Sequence, residues 1–167
     1  MKVILRQWRK KDIEQLAKFA NNKNIAANMS DQFPYPYTLQ NAEEWIALNK
    51  NKNHAYNFAI DVDGALAGGC GMMMMEDVYR RSAEIGYWIA EPFWGKGVAT
   101  EAVKLLLEEI RNNHSDVIRV FAKPFDHNKA SMKVLEKNGF YLEAVRKNAV
   151  IKNNVIVNDH VWVKLLQ

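Results

Sequence analysis

The chain switches between two hydrophobic periods. Tyr56, Phe58, Ile60 and Val62 alternate with Asn57, Ala59 and Asp61, and a period of two predicts a half-buried strand. Asp63-Gly64 follows, a pair that favours a tight hairpin turn. The apolar run from Ala65 to about Met75 then predicts the return strand. Arg81–Ala90 (RSAEIGYWIA) predicts another strand, joined to it through the polar turn Glu76–Arg80. Val98–Asn112 shifts to helical spacing, with Ala99, Ala102, Val103, Leu106 and Ile110 on one face. Asp12–Ala20 places Ile13, Leu16, Ala17 and Ala20 the same way.

Shorter signals complete the order. Val3–Arg6 reads as a first strand and Val117–Ala122 as a later one. Asn21–Tyr37 reads as a loop, ending in Phe33-Pro-Tyr-Pro-Tyr37, whose prolines forbid a long helix. Thr38 is a suitable N-cap for a helix carrying Leu39, Ala42 and Ile46. Asn128–Asn138 predicts a helix capped by Asn128 and closed by Gly139, which tolerates the left-handed conformation. Phe140–Val150 and Val155–Leu165 form a closing hairpin turned at Asn153-Asn154. The order β-α-α-β-β-β-α-β-α-β-β predicts an α/β chain, with a mixed central sheet and helices on both faces.

At 167 residues, 49% hydrophobic and 25% charged, the chain suits one domain with a real core. No apolar run is long enough to cross a bilayer, and the opening residues lack a secretory pattern. Cys70 is the single cysteine, so neither an internal disulfide nor a CxxC metal site is available. These features predict a cytoplasmic protein with no membrane partner. His54, His114, His127 and His160 have no metal-ligand spacing. The formal charge of +4 favours anionic ligands. It leaves nucleic acid open as a partner, but no long basic block supports that reading.

Candidate chemistry concentrates in Pro92-Phe-Trp-Gly-Lys-Gly-Val-Ala-Thr-Glu-Ala102. The segment follows a strand and opens a helix. Gly95 and Gly97 let the backbone bend and approach a ligand. The first turn of the helix offers unpaired amides at a positive dipole end, which together make an anion cradle. Lys96 adds a charge at its edge. The alternative is a turn whose glycines serve geometry alone. No GxxxxGK[ST] loop occurs, and Gly68-Gly-Cys-Gly71 lacks the third glycine of a dinucleotide fingerprint.

WGKGVA at Trp94–Ala99 resembles the acetyl-CoA signature of the GNAT N-acetyltransferases, written [R/Q]xxGx[G/A]. AEIGYWIAEPFWGKGVATEA (Ala83–Ala102) and NKASMKVLEKNGF (Asn128–Phe140) are similar to the branch typified by the ribosomal-protein N-terminal acetyltransferases, RimJ and RimL. The resemblance covers nearly the whole chain. Trp94 departs from the usual Arg or Gln, a change common in this branch. The resemblance implies a single domain over 1–167 with the acyl-CoA N-acyltransferase fold. Its central sheet is mixed but mostly antiparallel, with about seven strands splayed in the middle and about four helices on both faces. It also implies acetyl-CoA as cosubstrate, no metal, and transfer to a small-molecule amine or a peptide N-terminus. A homodimer is the base-rate expectation.

By the same resemblance, Trp88, Ile89 and Ala90 would contact the pantetheine arm, with the Ile89 amide polarising the thioester carbonyl. Trp94, Gly95, Lys96, Gly97, Val98, Ala99 and Thr100 would hold the diphosphate. Asn128 would contact pantetheine or the loop, and Lys133 the nucleotide phosphates. Glu84 shares a strand face with Gly86 and Trp88 and is the candidate general base; the alternative is a partly exposed strand carboxylate. Leu135 stands where many relatives carry an acidic tyrosine. Ser131, one turn earlier, resembles the proton donor of the branch, or is an ordinary polar residue of a first turn. Phe33, Tyr35 and Tyr37 fall where relatives wall the acceptor site, or they pack a proline-rich loop. Met72–Met75 reads as core filling, and Cys70 as an inert buried thiol. A non-catalytic acyl-CoA-binding module remains the alternative function, because the tyrosine is missing.

Overall fold

The computed structural model describes residues 1–49 and 55–166. Its elements are β1 (Val3–Arg6), α1 (Ile13–Ala20), α2 (Lys23–Ala26), α3 (Leu39–Leu48), β2 (Ala55–Val62), β3 (Ala65–Met74), β4 (Ser82–Ile89), α4 (Val98–Asn113), β5 (Arg119–Ala122), α5 (Lys129–Lys137), β6 (Tyr141–Lys152) and β7 (Val155–Leu165). The strands form one sheet in the order β1-β2-β3-β4-β5-β7-β6. Every neighbouring pair is antiparallel except β4 with β5. The mixed sheet predicted from the element order is therefore present.

Each face of the sheet has its own core. Ile85 and Ile89 of β4 pack with Val98, Val103, Leu106 and Ile110 of α4 and with Leu135 of α5. On the other face, Ala59 and Leu66 pack with Leu16 and Ala20 of α1, Ala42 and Ile46 of α3, and Trp88. The strand period of two sends neighbouring β4 residues to opposite cores. Within the run Met72–Met75, Met72 is fully buried whereas Met73 is 47% exposed, so core filling describes only part of it.

Five α-helices occur among the described residues, in line with the expected number of about four. The extra one is α2, within a segment that reads as loop. Asn22 caps it by accepting hydrogen bonds from the amides of Asn24 and Ile25, and Ile25 and Ala26 bury its inner side. One turn is too short to leave a hydrophobic period. The other caps fall where expected. Thr38 accepts from the Asn41 amide at 3.1 Å, and Asn128 from the Ser131 amide at 3.2 Å. His54 lies outside the described residues.

Candidate active site

The sheet opens at one place. β4 and β5 pair only at Ser82–Arg119, Ala83–Val120 and Glu84–Phe121. β5 then ends at Ala122, while β4 continues to Ile89. The Ala90 amide donates to the Ala67 carbonyl of β3 at 2.8 Å. Backbone groups alternate between the two edges of a strand, so the amides of Tyr87 and Ile89 face the opening. The Ile89 carbonyl on that edge accepts from Trp94 Nε1 at 2.7 Å. Trp94 thereby anchors the next loop to the open strand through its indole.

The loop has the geometry of an anion cradle. Gly95 and Gly97 have φ of +71° and +78°, values that suit glycine. A Cβ built on either would meet nothing within 4 Å among the described residues, so there is space before the loop. The first intrahelical bond of α4 runs from the Glu101 amide to the Gly97 carbonyl, leaving the Val98, Ala99 and Thr100 amides free to donate outward. A groove of about 610 Å3 runs past them, between the open edge of β4 and α5, and Lys129, Lys133 and Lys137 line its far side. The amides, the dipole end of a 16-residue helix and these lysines fit a diphosphate with a long polar arm.

Two further spaces meet the groove at Tyr87. One is a cleft of about 470 Å3 between β4, the end of β5 and the β6–β7 hairpin. The other is a hollow of about 330 Å3 over the opposite face of β4. Three ion pairs stand in the cleft: Lys123 to Glu84 at 2.9 Å, Lys152 to Asp31 at 2.9 Å, and Arg146 to the buried Asp159. The Asp159 hydrogen bond, opposed by burial, leaves the Arg146 guanidinium above its ordinary pKa. At the junction, the Tyr87 hydroxyl lies 2.8 Å from Ser131 Oγ. Burial pushes the Tyr87 phenol up to about 12, against the opposing effect of that bond.

The family profile described as "Acetyltransferase (GNAT) domain" matches residues 2–141. The chain belongs to the GNAT acetyltransferase family. It is 33% identical over 114 residues to the probable N-acetyltransferase YjcK of Bacillus subtilis, an alignment covering 68% of this chain and 61% of that protein. It thus spans less than two thirds of that relative's length. RimL, a ribosomal L7/L12 alpha-N-protein acetyltransferase in complex with coenzyme A, superposes with a TM-score of 0.87 at 22% identity, covering 99% of this chain and 95% of that one. The microcin C7 self-immunity acetyltransferase MccE, in complex with acetyl-CoA and AMP, gives 0.82 at 25% identity, covering 99% and 93%.

In this GNAT chain the groove is lined by Trp88, Ile89, Trp94, Gly95, Val98, Ala99, Thr100, Asn128, Ser131 and Lys133. Ala90 is fully buried, with its amide bound to β3. Gly97 shapes the loop from behind as the α4 N-cap. Lys96 donates to the Pro92 carbonyl at 2.8 Å and lies off the groove. Glu84 borders both the cleft and the hollow. Phe33 and Tyr37 line the hollow, whereas Tyr35 is 53% exposed away from it. Leu135 is wholly buried in the core beneath α4. Burial also holds the Cys70 thiol far above its ordinary range. Among the described residues no three His, Cys, Asp or Glu side chains cluster as a metal site. No helix there is long and apolar enough to cross a membrane.

Tyr87, Lys123, Arg146 and Lys152 line the cleft, and motif reading does not point to them. Tyr87 carried a usable signal. It sits at an odd position of β4, on the face opposite Glu84 and Trp88, so it points toward α5. The three cations come together only through the hairpin's return across the sheet.

Proposed function

We propose that this chain transfers the acetyl group of acetyl-CoA to a primary amine, the amine of a small molecule or of a peptide N-terminus. The observation that carries this reading is the open edge of β4 running directly into the Gly95–Gly97 cradle. A strand edge can pair with the amides of a pantetheine arm, and the cradle can take the diphosphate at one end of it. When bound, acetyl-CoA supplies a thioester acyl group that an amine nitrogen takes up, with loss of one proton from nitrogen and release of the protonated thiol.

The residues divide that work. The Ile89 amide faces the opening and donates to an acyl oxygen, a fixed dipole where negative charge develops. Glu84 lies at the acceptor side and accepts the amine proton, directly or through one water. Ser131 and Tyr87 form the hydroxyl pair at the junction, and Ser131 is placed to return a proton to sulfur. Lys129, Lys133 and Lys137 hold the phosphates by charge. The neighbour named with acetyl-CoA and the one named with coenzyme A support a CoA thioester as cosubstrate, and the latter's name as a ribosomal-protein acetyltransferase supports an amine on a protein as one acceptor.

The test is thiol release from acetyl-CoA across a panel of amines and short peptides, with formation of the N-acetyl product followed by mass spectrometry. Product with at least one amine is expected. Tight acetyl-CoA binding without transfer to any amine overturns the reading in favour of a binding module.

A further inference from the structure

The hollow beside the acceptor side has no place in the reaction as proposed, and its construction is specific. β3 and β4 pair with Gly71 opposite Gly86, Gly69 opposite Trp88 and Met73 opposite Glu84. Directly paired residues share a sheet face, so two glycines lie side by side where side chains would otherwise cover the strands. The Asn57 side chain lies over Gly71. Among the described residues, a Cβ built on Gly86 meets no atom within 4 Å. Its φ is not in the left-handed region, so backbone geometry does not require this glycine. Leaving space does.

Aromatic rings wall that space. Phe33 stands edge-on to Trp88 with ring centroids 5.9 Å apart and leans on Tyr37 at 5.2 Å. Trp8 and Trp45 complete the wall. The volume of about 330 Å3 is at the small end of ligand pockets, roughly 300 Å3 and upward. Glu84, at the rim, is the one charged residue lining it among the described residues. Trp8 Nε1 is buried with no hydrogen-bond partner among the described residues. Beyond Glu84, the adjoining cleft offers a polycation no unpaired acid among the described residues, because Asp31 and Asp159 are paired with Lys152 and Arg146.

Resting on the acetyltransferase reading above, we infer that the acceptor is a primary amine carrying one aromatic or bulky apolar group. Its nitrogen sits by Glu84 and its ring enters the hollow over Gly86. Such a group is either part of a free amine or the first side chain of a peptide.

The experiment titrates the full chain with phenethylamine, spermidine and glycinamide while following tryptophan fluorescence, since three of its five tryptophans, Trp8, Trp45 and Trp88, line the hollow. A saturable change with phenethylamine and none with the other two is expected. In the transfer assay, kcat/KM for phenethylamine should exceed that for either other amine by at least about 10-fold, a ratio within reach of apolar pocket contacts. Comparing the dipeptides Phe-Ala and Gly-Ala with phenethylamine separates a peptide from a free amine. Gly86→Leu fills the hollow and should reduce the phenethylamine preference by at least about 10-fold. Gly86→Ala, which adds one carbon in open space, guards against a folding failure and should reduce it less. Spermidine or glycinamide matching phenethylamine in both assays overturns the inference, as does a preference unmoved by both variants. Fluorescence binding of phenethylamine without transfer to any amine keeps the hollow as its site and removes the acetyltransferase reading instead.

Discussion

Tyr87 of β4 and Ser131 of α5 meet hydroxyl to hydroxyl at 2.8 Å, and the Tyr87 hydroxyl also lies 3.2 Å from the Ser131 carbonyl. This contact joins the strand that opens to the helix that closes the groove. If Ser131 gives a proton to the leaving sulfur, Tyr87 orients it and can restore the proton. Ser131→Ala is expected to lower kcat about 100-fold, the low end of acid–base contributions, with KM for acetyl-CoA nearly unchanged. Tyr87→Phe keeps the ring and removes the relay, for a loss of about 10-fold. Steady-state kinetics decide the matter: a change confined to KM in both variants would assign the pair to cofactor binding alone.

The same tyrosine gives a pH prediction. Burial raises both Tyr87 and Tyr37 to about 12, against an ordinary value of 10.0 for a phenol. A raised pKa means the folded state favours the neutral phenol. The associated stability is therefore complete below pH 10 and drains away as pH rises toward 12. Phenolate absorbance during an alkaline titration should show a late fraction that shrinks in Tyr37→Phe and again in Tyr87→Phe. Ionisation of the whole set in one step near pH 10, with the fold intact by circular dichroism, would contradict this burial.

Much of this arrangement is written in local patterns. The alternation in Tyr56–Val62, the Asp63-Gly64 turn and the caps at Thr38 and Asn128 each act over a few residues, so the sequence exposes them directly. The Gly95–Gly97 cradle is legible for the same reason: loop and helix N-terminus are contiguous. The cleft is not. Glu84 and Lys123 are brought together by the short parallel pairing of β4 with β5, and Arg146 reaches Asp159 across a hairpin with a shifted register. Contacts of that kind depend on strand order, which periodicity does not carry. Gly86 is legible as a residue but not as a hollow, because its meaning comes from Gly71 on the neighbouring strand.

Gly97 should be the more sensitive of the two cradle glycines. It is the N-cap of α4, with φ of 78° and ψ of 1°. Gly97→Ala has room for its methyl group but must hold a left-handed conformation, at a cost of about 1–2 kcal/mol. Relief of that strain would rotate the Val98 and Ala99 amides away from the groove. The expected result is a modest fall in melting temperature and an acetyl-CoA Kd raised about 10-fold or more, measured by calorimetry. An unchanged Kd would place the phosphates elsewhere along the groove.

Glu84 can be separated from its ion pair with Lys123. Glu84→Gln keeps shape and hydrogen bonding but removes the proton acceptor. It is expected to lower kcat about 100-fold while leaving acetyl-CoA binding by calorimetry intact. Lys123→Met removes the partner and keeps the carboxylate, so a base role predicts retained transfer. Equal losses in the two variants would make the pair a structural strut between β4 and the end of β5.

The stability of the acceptor side traces back to Arg6. Its guanidinium bonds Asp61 through Nε at 2.8 Å and Asp12 through both terminal nitrogens at 2.8 and 2.9 Å. Asp12 and Asp61 are 2% and 6% exposed. The network ties β1 and the start of α1 to β2, and Trp8 of the hollow lies in the short connection it clamps. Burial disfavours the Asp61 carboxylate, but the Arg6 and Gly64 hydrogen bonds and the charges of Arg6 and Arg9 outweigh it, leaving its pKa below the ordinary value of 3.8. A depressed carboxylate contributes stability that is complete above the unfolded pKa, near pH 4, and is lost as pH falls through the lower folded value. Asp61→Asn leaves Arg6 with one carboxylate partner in place of two and should cost about 3 kcal/mol at neutral pH. That corresponds to a melting temperature lower by roughly 6–12 °C in a chain of this size. Below pH 4 the wild type should lose stability more steeply than the variant, because only the wild type must protonate Asp61. Parallel acid-unfolding curves for the two proteins would show that Arg6 holds the junction through Asp12 alone.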